Sequence, residues 1–112
     1  MTIETLKRLT LIETRYMRFI VRAQIPTEAG NRIVKNPKFL QELENYIQKI
    51  KAEAAYFFEA AGDRTFAFII NIESADMIPS IAEPLFQDLG AKVEFHPVMV
   101  FEDLKKAIEH LN

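Results

Sequence analysis

The chain has no cysteine and no tryptophan, and only three glycines and two histidines in 112 residues. Without cysteine there is no disulfide scaffold and no thiolate metal site. The histidines, His96 and His110, have no second His or Cys at ligand spacing. No haem motif, glycine-rich phosphate loop, nucleophile elbow or Ser-His-Asp pattern is present, so no metal and no cofactor is expected. No apolar run approaches the ~20 residues a membrane span needs. The first sixteen residues lack the continuous apolar core of a signal peptide, and a cytoplasmic protein without a membrane partner is expected. Fourteen Lys/Arg against sixteen Asp/Glu give a net charge of -2, without the basic excess of a nucleic-acid binder. What is present, 49% apolar and 27% charged residues, is the composition of a single globular domain.

The chain reads in two parts. Residues 1–16 form an extension in which Ile3, Leu6, Leu9 and Ile12 recur at a spacing that allows a short amphipathic helix, marginal in isolation. A start at Met17 would cost the core nothing. Residues 17–112 form the domain. Met17 to Ile25 alternates: Met17, Phe19, Val21, Ala23 and Ile25 share one face, and Arg18, Ile20, Arg22 and Gln24 the other, the signature of a strand ended by Pro26. Residues 27–36 read as a connector with a helical turn that Thr27 can cap.

A helix follows, with Asn36 as its cap and Pro37 at its first position. Its apolar stripe is Phe39, Leu40, Leu43, Tyr46, Ile47 and Ile50. Ala55 to Ala60 and Thr65 to Ile72 read as strands joined through Ala61-Gly62-Asp63-Arg64, with Gly62 supplying a positive φ. A second helix starts at Ser74 or Asp76, buries Met77, Ile78, Ile81, Leu85, Phe86 and Leu89, and stops at Gly90. Pro79 fits its first turn, whereas Pro84 is expected to kink or divide it. Lys92 to Val100 reads as an edge strand because Pro97 cannot donate to a ladder. Residues 102–112 close as a helix with Leu104, Ala107, Ile108 and Leu111 on one side.

The order β-α-β-β-α-β, then α, predicts an α+β, ferredoxin-like sandwich: a four-stranded antiparallel sheet in spatial order 4-1-3-2 with two long helices on one face. With a two- or four-residue hairpin loop, Phe58 is expected to pair with Ala67 and Tyr56 with Ile69 on one face, and Phe57 with Phe68 on the other. Both hairpin faces are then apolar, and Ile20 and Val98 extend the apolar surface across the remaining strands. An uncovered apolar sheet face marks an interface or a pocket. The economical arrangement is a homodimer, or higher homo-oligomer, in which two sheets face each other as a barrel around a cavity.

The stretch AGDRTFAFIINIESADMIPSIAEPLF followed by AKVEFHPVM resembles the dimeric α+β barrel superfamily, and within it the muconolactone isomerase-like small proteins. The shared pattern is strand, Gly turn, apolar strand, Ser at the helix start, Pro-Leu-Phe near its end, and an acidic-apolar final strand. It covers residues 17–101. The resemblance implies the fold and the dimer. It leaves the activity open, because the superfamily holds isomerases, cofactor-free monooxygenases, haem enzymes and ligand-sensing domains.

The polar residues expected on the uncovered face are Arg18, Arg22, Gln24, Asn71, Glu94 and His96. His96 has the pKa range of a general acid or base, and Glu94 can accept a proton if desolvated, so these two are the catalytic candidates. Arg22 can hold a carboxylate; alternatively it pairs with Glu94. Gln24 and Asn71 can orient a ligand, and Tyr56 and Phe58 can stack on one. Each also has a plain reading as a satisfied polar group or interface packing. Asp63 and Arg64 read as turn residues, Glu83 and Asp88 as solvated surface, and His110 as a partner of a helix C-terminus. Three functions fit: a dimeric barrel binding a small apolar or anionic molecule, a cofactor-free isomerase or monooxygenase acting on an aromatic or lactone-like substrate, and an assembly module without a pocket. An enclosed cavity lined by His96, Glu94 and Arg22 would favour the first two.

Overall fold

The computed structural model describes Thr2 and residues 17–112; the extension read at 1–16 otherwise lies outside the described residues. The alternating segment is strand β1 (Met17–Ile25). It is followed by α1 (Thr27–Lys35), α2 (Phe39–Lys49), β2 (Ala54–Ala60), β3 (Asp63–Ile72), α3 (Met77–Leu89), β4 (Lys92–Pro97) and α4 (Phe101–Leu111). The strands form one antiparallel sheet in the order β2-β3-β1-β4, the ferredoxin-like order expected. The sheet of one chain is not closed into a barrel: β2 and β4 remain as its two edges.

One face of this sheet is a packed core. Val21, Ala23 and Ile25 of β1 and Phe66, Phe68, Ile70 and Ile72 of β3 are buried beneath α2 and α3, which contribute Leu43, Tyr46, Ile81, Leu85 and Leu89. Tyr46 stands edge-on to Phe68, 5.5 Å between ring centroids. Its hydroxyl donates to the Ile81 carbonyl at 2.7 Å, tying the two helices together. Burial pushes the Tyr46 phenol well above its ordinary pKa.

Five expectations are corrected. First, the hairpin turn is two residues, Ala61 and Gly62, both at positive φ (51° and 83°), the backbone a tight hairpin turn needs. Tyr56 therefore pairs with Ala67, Phe57 with Phe66 and Phe58 with Thr65, two residues from the expected register. A two-residue slip leaves every side chain on its face. Second, residues 27–35 are a full helix. Gly30 is buried in it, and a Cβ there would meet Arg64 Nη1 at 2.6 Å, so packing against the hairpin holds a segment of weak helix propensity. Thr27 caps nothing; its hydroxyl donates to Asp63 Oδ1 at 3.2 Å.

Third, α3 runs unbroken through Pro84. The carbonyl that an N–H at 84 would have met belongs to Ser80, an exposed residue that water can serve. Fourth, Leu40 is 76% exposed rather than part of the α2 stripe against the core, and Phe86 is also exposed. The start of α2 shifts as well: its N-cap is Lys38 rather than Asn36, Pro37 stands before the helix, and Asn36 Oδ1 accepts from the Lys38 N–H at 3.0 Å. Gly90 ends α3 at φ 59°, and β4 is an edge strand that ends at Pro97, with Val98 N–H still donating to Arg18 O at 2.9 Å.

Candidate functional site

Among the described residues no helix lies on the other face of the sheet, and register places its residues in rows. Phe58, Thr65, Gln24 and Lys92 form one row across β2, β3, β1 and β4; Tyr56, Ala67, Arg22 and Glu94 the next; Ala54, Ile69, Ile20 and His96 the third. Asn71 and Arg18 lie opposite each other in the fourth. Thr65 and Ala67 are buried, with no other described element over them. In the register they lie between the larger Tyr56 and Phe58 of β2 and Arg22 and Gln24 of β1, so the face has the form of a trough. Its floor is the two small residues of β3, and its walls are Tyr56 and Phe58 on one side and Arg22 and Gln24 on the other. Tyr56 is 59% exposed and Phe58 45%.

The polar residues at the two ends of the trough are tied locally. At one end Arg18 Nε donates to Glu53 Oε2 at 3.1 Å, and Asn71 Nδ2 to Glu53 Oε1 at 2.7 Å. The hydrogen bond from Arg18, with that from Asn71, holds the Glu53 carboxyl below its ordinary pKa. At the other end Gln24 Nε2 donates to Asp63 Oδ2 at 2.9 Å. On β4 His96 Nε2 lies 3.0 Å from Glu94 Oε1, both side chains about half exposed.

Arg22 in the centre differs. Its Cα partner is Glu94, yet Glu94 contacts His96, and the expected ion pair of Glu94 with an arginine of β1 does not form; Arg18 turns to Glu53 instead. The Arg22 Nε is buried and, among the described residues, has no hydrogen-bond acceptor. Buried donors are nearly always paired, and an orphan costs about 1–3 kcal/mol. The face thus brings together Arg22, Tyr56, Phe58, Glu94 and His96 around an uncommitted centre, while Gln24 and Asn71 are engaged at its ends.

Among the described residues this face is open. A cleft of about 70 Å³ lies elsewhere, between α2 and α3, lined by Phe39, Leu43, Tyr46, Pro84, Leu85 and Leu89 among others. Sequence reasoning missed Glu53, which lies just before β2 where no periodicity marks it. It also missed the exposure of Leu40 and Phe57, which depends on how far α2 reaches over the β2 edge.

The fold defines the class: a small α+β domain with a four-stranded antiparallel sheet in ferredoxin-like order, one face covered by helices and the other carrying none among the described residues. No helix among the described residues is long and apolar enough to cross a membrane. Compared with known proteins, the chain matches no family model and no curated sequence.

Proposed function

We propose that the open face is one wall of a binding cavity in a homodimer, and that the cavity takes a small molecule with a flat apolar body and a carboxylate or similar anionic group. The observation that carries this reading is Arg22: a guanidinium on the open face, between Ala67 and Glu94 in the register, its Nε buried and without an acceptor among the described residues. A carboxylate above Ala67 would supply that acceptor and a bidentate partner, and the ring would lie against Tyr56 and Phe58. A second sheet facing the first would exclude water and strengthen the ion pair.

Titration with phenylacetate and with its neutral amide, followed by amide and side-chain NMR, tests the reading. Shifts confined to β1, β2 and β3 of the open face, seen with the acid, tenfold weaker with the amide and lost in Arg22→Gln, are expected. Equal or scattered responses to acid and amide would refute it.

The Glu94–His96 contact favours a second reading. A carboxylate 3.0 Å from an imidazole nitrogen can orient the ring, and Glu94 lies directly across from Arg22. In a cofactor-free isomerase or monooxygenase, Arg22 would hold the substrate anion while His96, oriented by Glu94, moves the proton. For the enzyme, His96→Ala abolishes turnover of a bound substrate and keeps its affinity; if affinity falls with turnover, His96 is a binding residue only.

A further inference from the structure

The helix-covered side of the sheet holds a recess of its own, the cleft of about 70 Å³ between α2 and α3. On α2 its lining residues are Phe39, Glu42, Leu43 and Tyr46, at spacings of three, one and three, and so on one side of the helix. Facing them on α3 are Leu85, Asp88 and Leu89, beside Pro84. None of these residues belongs to a strand, so the cleft stands apart from the open face.

The cleft is graded in polarity. Leu85 and Leu89 are 2% and 8% exposed and form its floor, with Leu43 and Tyr46 half-buried above them. Glu42 and Asp88 are exposed and stand at its rim. No Lys, Arg or His belongs to the lining. Neither carboxylate has an ion-pair or hydrogen-bond partner among the described residues. The Tyr46 hydroxyl is already committed to the Ile81 carbonyl. Two like charges from different helices thus border one apolar recess, and the lining supplies no counter-charge.

We infer that this cleft binds a small monoamine, its alkyl tail on the leucine floor and its ammonium group at the rim beside Glu42 and Asp88. Charge fixes the sign of the ligand. Two carboxylates attract a cation, and aromatic rings such as Phe39 and Tyr46 attract cations rather than anions to their faces. Size sets its body. The cleft has about half the ~150 Å³ of a cavity that holds benzene, so the tail is a chain of about three or four carbons and not a ring.

The grading also separates a free amine from the lysine side chain of another protein. A lysine enters a cleft head first. Its ammonium group would then rest against Leu85 and Leu89, where a charge loses its water and gains no partner. A monoamine enters tail first, buries only carbon, and keeps its charge in water beside the two carboxylates.

Methyl and amide NMR of the intact chain, titrated with n-butylammonium chloride at neutral pH, tests the site, with 1-butanol, butyrate and 1,4-butanediammonium as matched probes. Butylammonium is expected to shift Leu43, Leu85 and Leu89 and to bind at least tenfold more tightly than each of the others. Glu42→Gln combined with Asp88→Asn, both at exposed positions that the fold does not depend on, is expected to bring butylammonium down to the affinity of 1-butanol, with each single variant showing part of that loss. Leucines that do not respond, shifts scattered over the surface, or equal affinity for 1-butanol and butylammonium would overturn the site. A preference for butylammonium that survives in the double variant would overturn the role of the carboxylates. Butanediammonium binding as tightly as butylammonium would overturn the tail-first arrangement.

Discussion

The two faces of one sheet obey different rules. On the helix-covered face, Val21, Ala23, Phe68 and Ile70 are almost wholly removed from water, and the apolar surface is satisfied within the chain. On the open face, Ile20, Ile69, Tyr56 and Phe58 are accompanied by Arg18, Arg22, Gln24, Glu94 and His96. The polar groups at the trough's ends and on β4 find partners in the same chain: Arg18 with Glu53, Gln24 with Asp63, Glu94 with His96. At the centre, the Arg22 Nε has none among the described residues. The covered face stabilises the fold; the open face keeps an apolar surface and, among the described residues, a buried Arg22 Nε without an acceptor.

Substitutions separate the faces. Phe68→Ala, at a fully buried position, is expected to lower unfolding free energy by about 3–5 kcal/mol, read from urea denaturation. Tyr56→Ala across the sheet should change the stability of the monomeric unit by only about 0.5 kcal/mol, and a loss as large as that at Phe68 would erase the distinction.

Between these lies Tyr46. Tyr46→Phe removes one hydrogen bond to Ile81 and is expected to cost about 1 kcal/mol. The same phenol gives a pH signature. Burial raises its pKa above the ordinary 10.0, so the unfolded chain loses a proton above pH 10 that the folded chain keeps. The contribution is full below pH 10 and is lost as pH rises beyond it. Wild type should lose stability there more steeply than Tyr46→Phe, and parallel alkaline limbs in chemical denaturation would contradict this.

A smaller effect comes from the hairpin. Ala61 sits at φ 51°, which Asn tolerates better, so Ala61→Asn should raise the melting temperature slightly, by about 0.5 kcal/mol of stability. The smallest belongs to the rim of the open face. The Glu53 carboxyl, held below its ordinary value by Arg18 and then Asn71, stabilises the fold above pH 4.5 and loses that contribution as pH falls. Glu53→Gln should flatten the acid limb of stability against pH; an unchanged limb would show that this exposed pair contributes nothing.

Much of this was legible in the sequence. Strict alternation in β1 assigned each residue to its face, and the two β-α-β halves ordered the strands. Gly62 and Gly90 marked their turns because each needs a positive φ. The hairpin register was not legible. Asp63-Arg64 has the composition of a loop, and an alanine in the left-handed region at 61 is unusual, so these polar residues looked like turn rather than strand. Helix α1 was hidden because its glycine is there for Arg64, a contact between distant segments.

The site was legible as a set of residues on one face. Its internal pairing was not: the distance along a side chain decides whether Arg22 reaches Glu94, and in the fold His96 takes that carboxylate. The exposure of Leu104, Ile108 and Leu111 on α4 was equally invisible, since an amphipathic stripe announces that a helix needs a partner without naming it.

The central claim is that the open face belongs to a contact between two copies. Light scattering coupled to size-exclusion chromatography, on wild type and on Ile69→Glu at micromolar concentration, tests it most directly. The account predicts a dimer for wild type and a folded monomer for Ile69→Glu, which places a charge in the middle of the face. A well-folded wild-type monomer, or a dimer indifferent to Ile69→Glu, would contradict it.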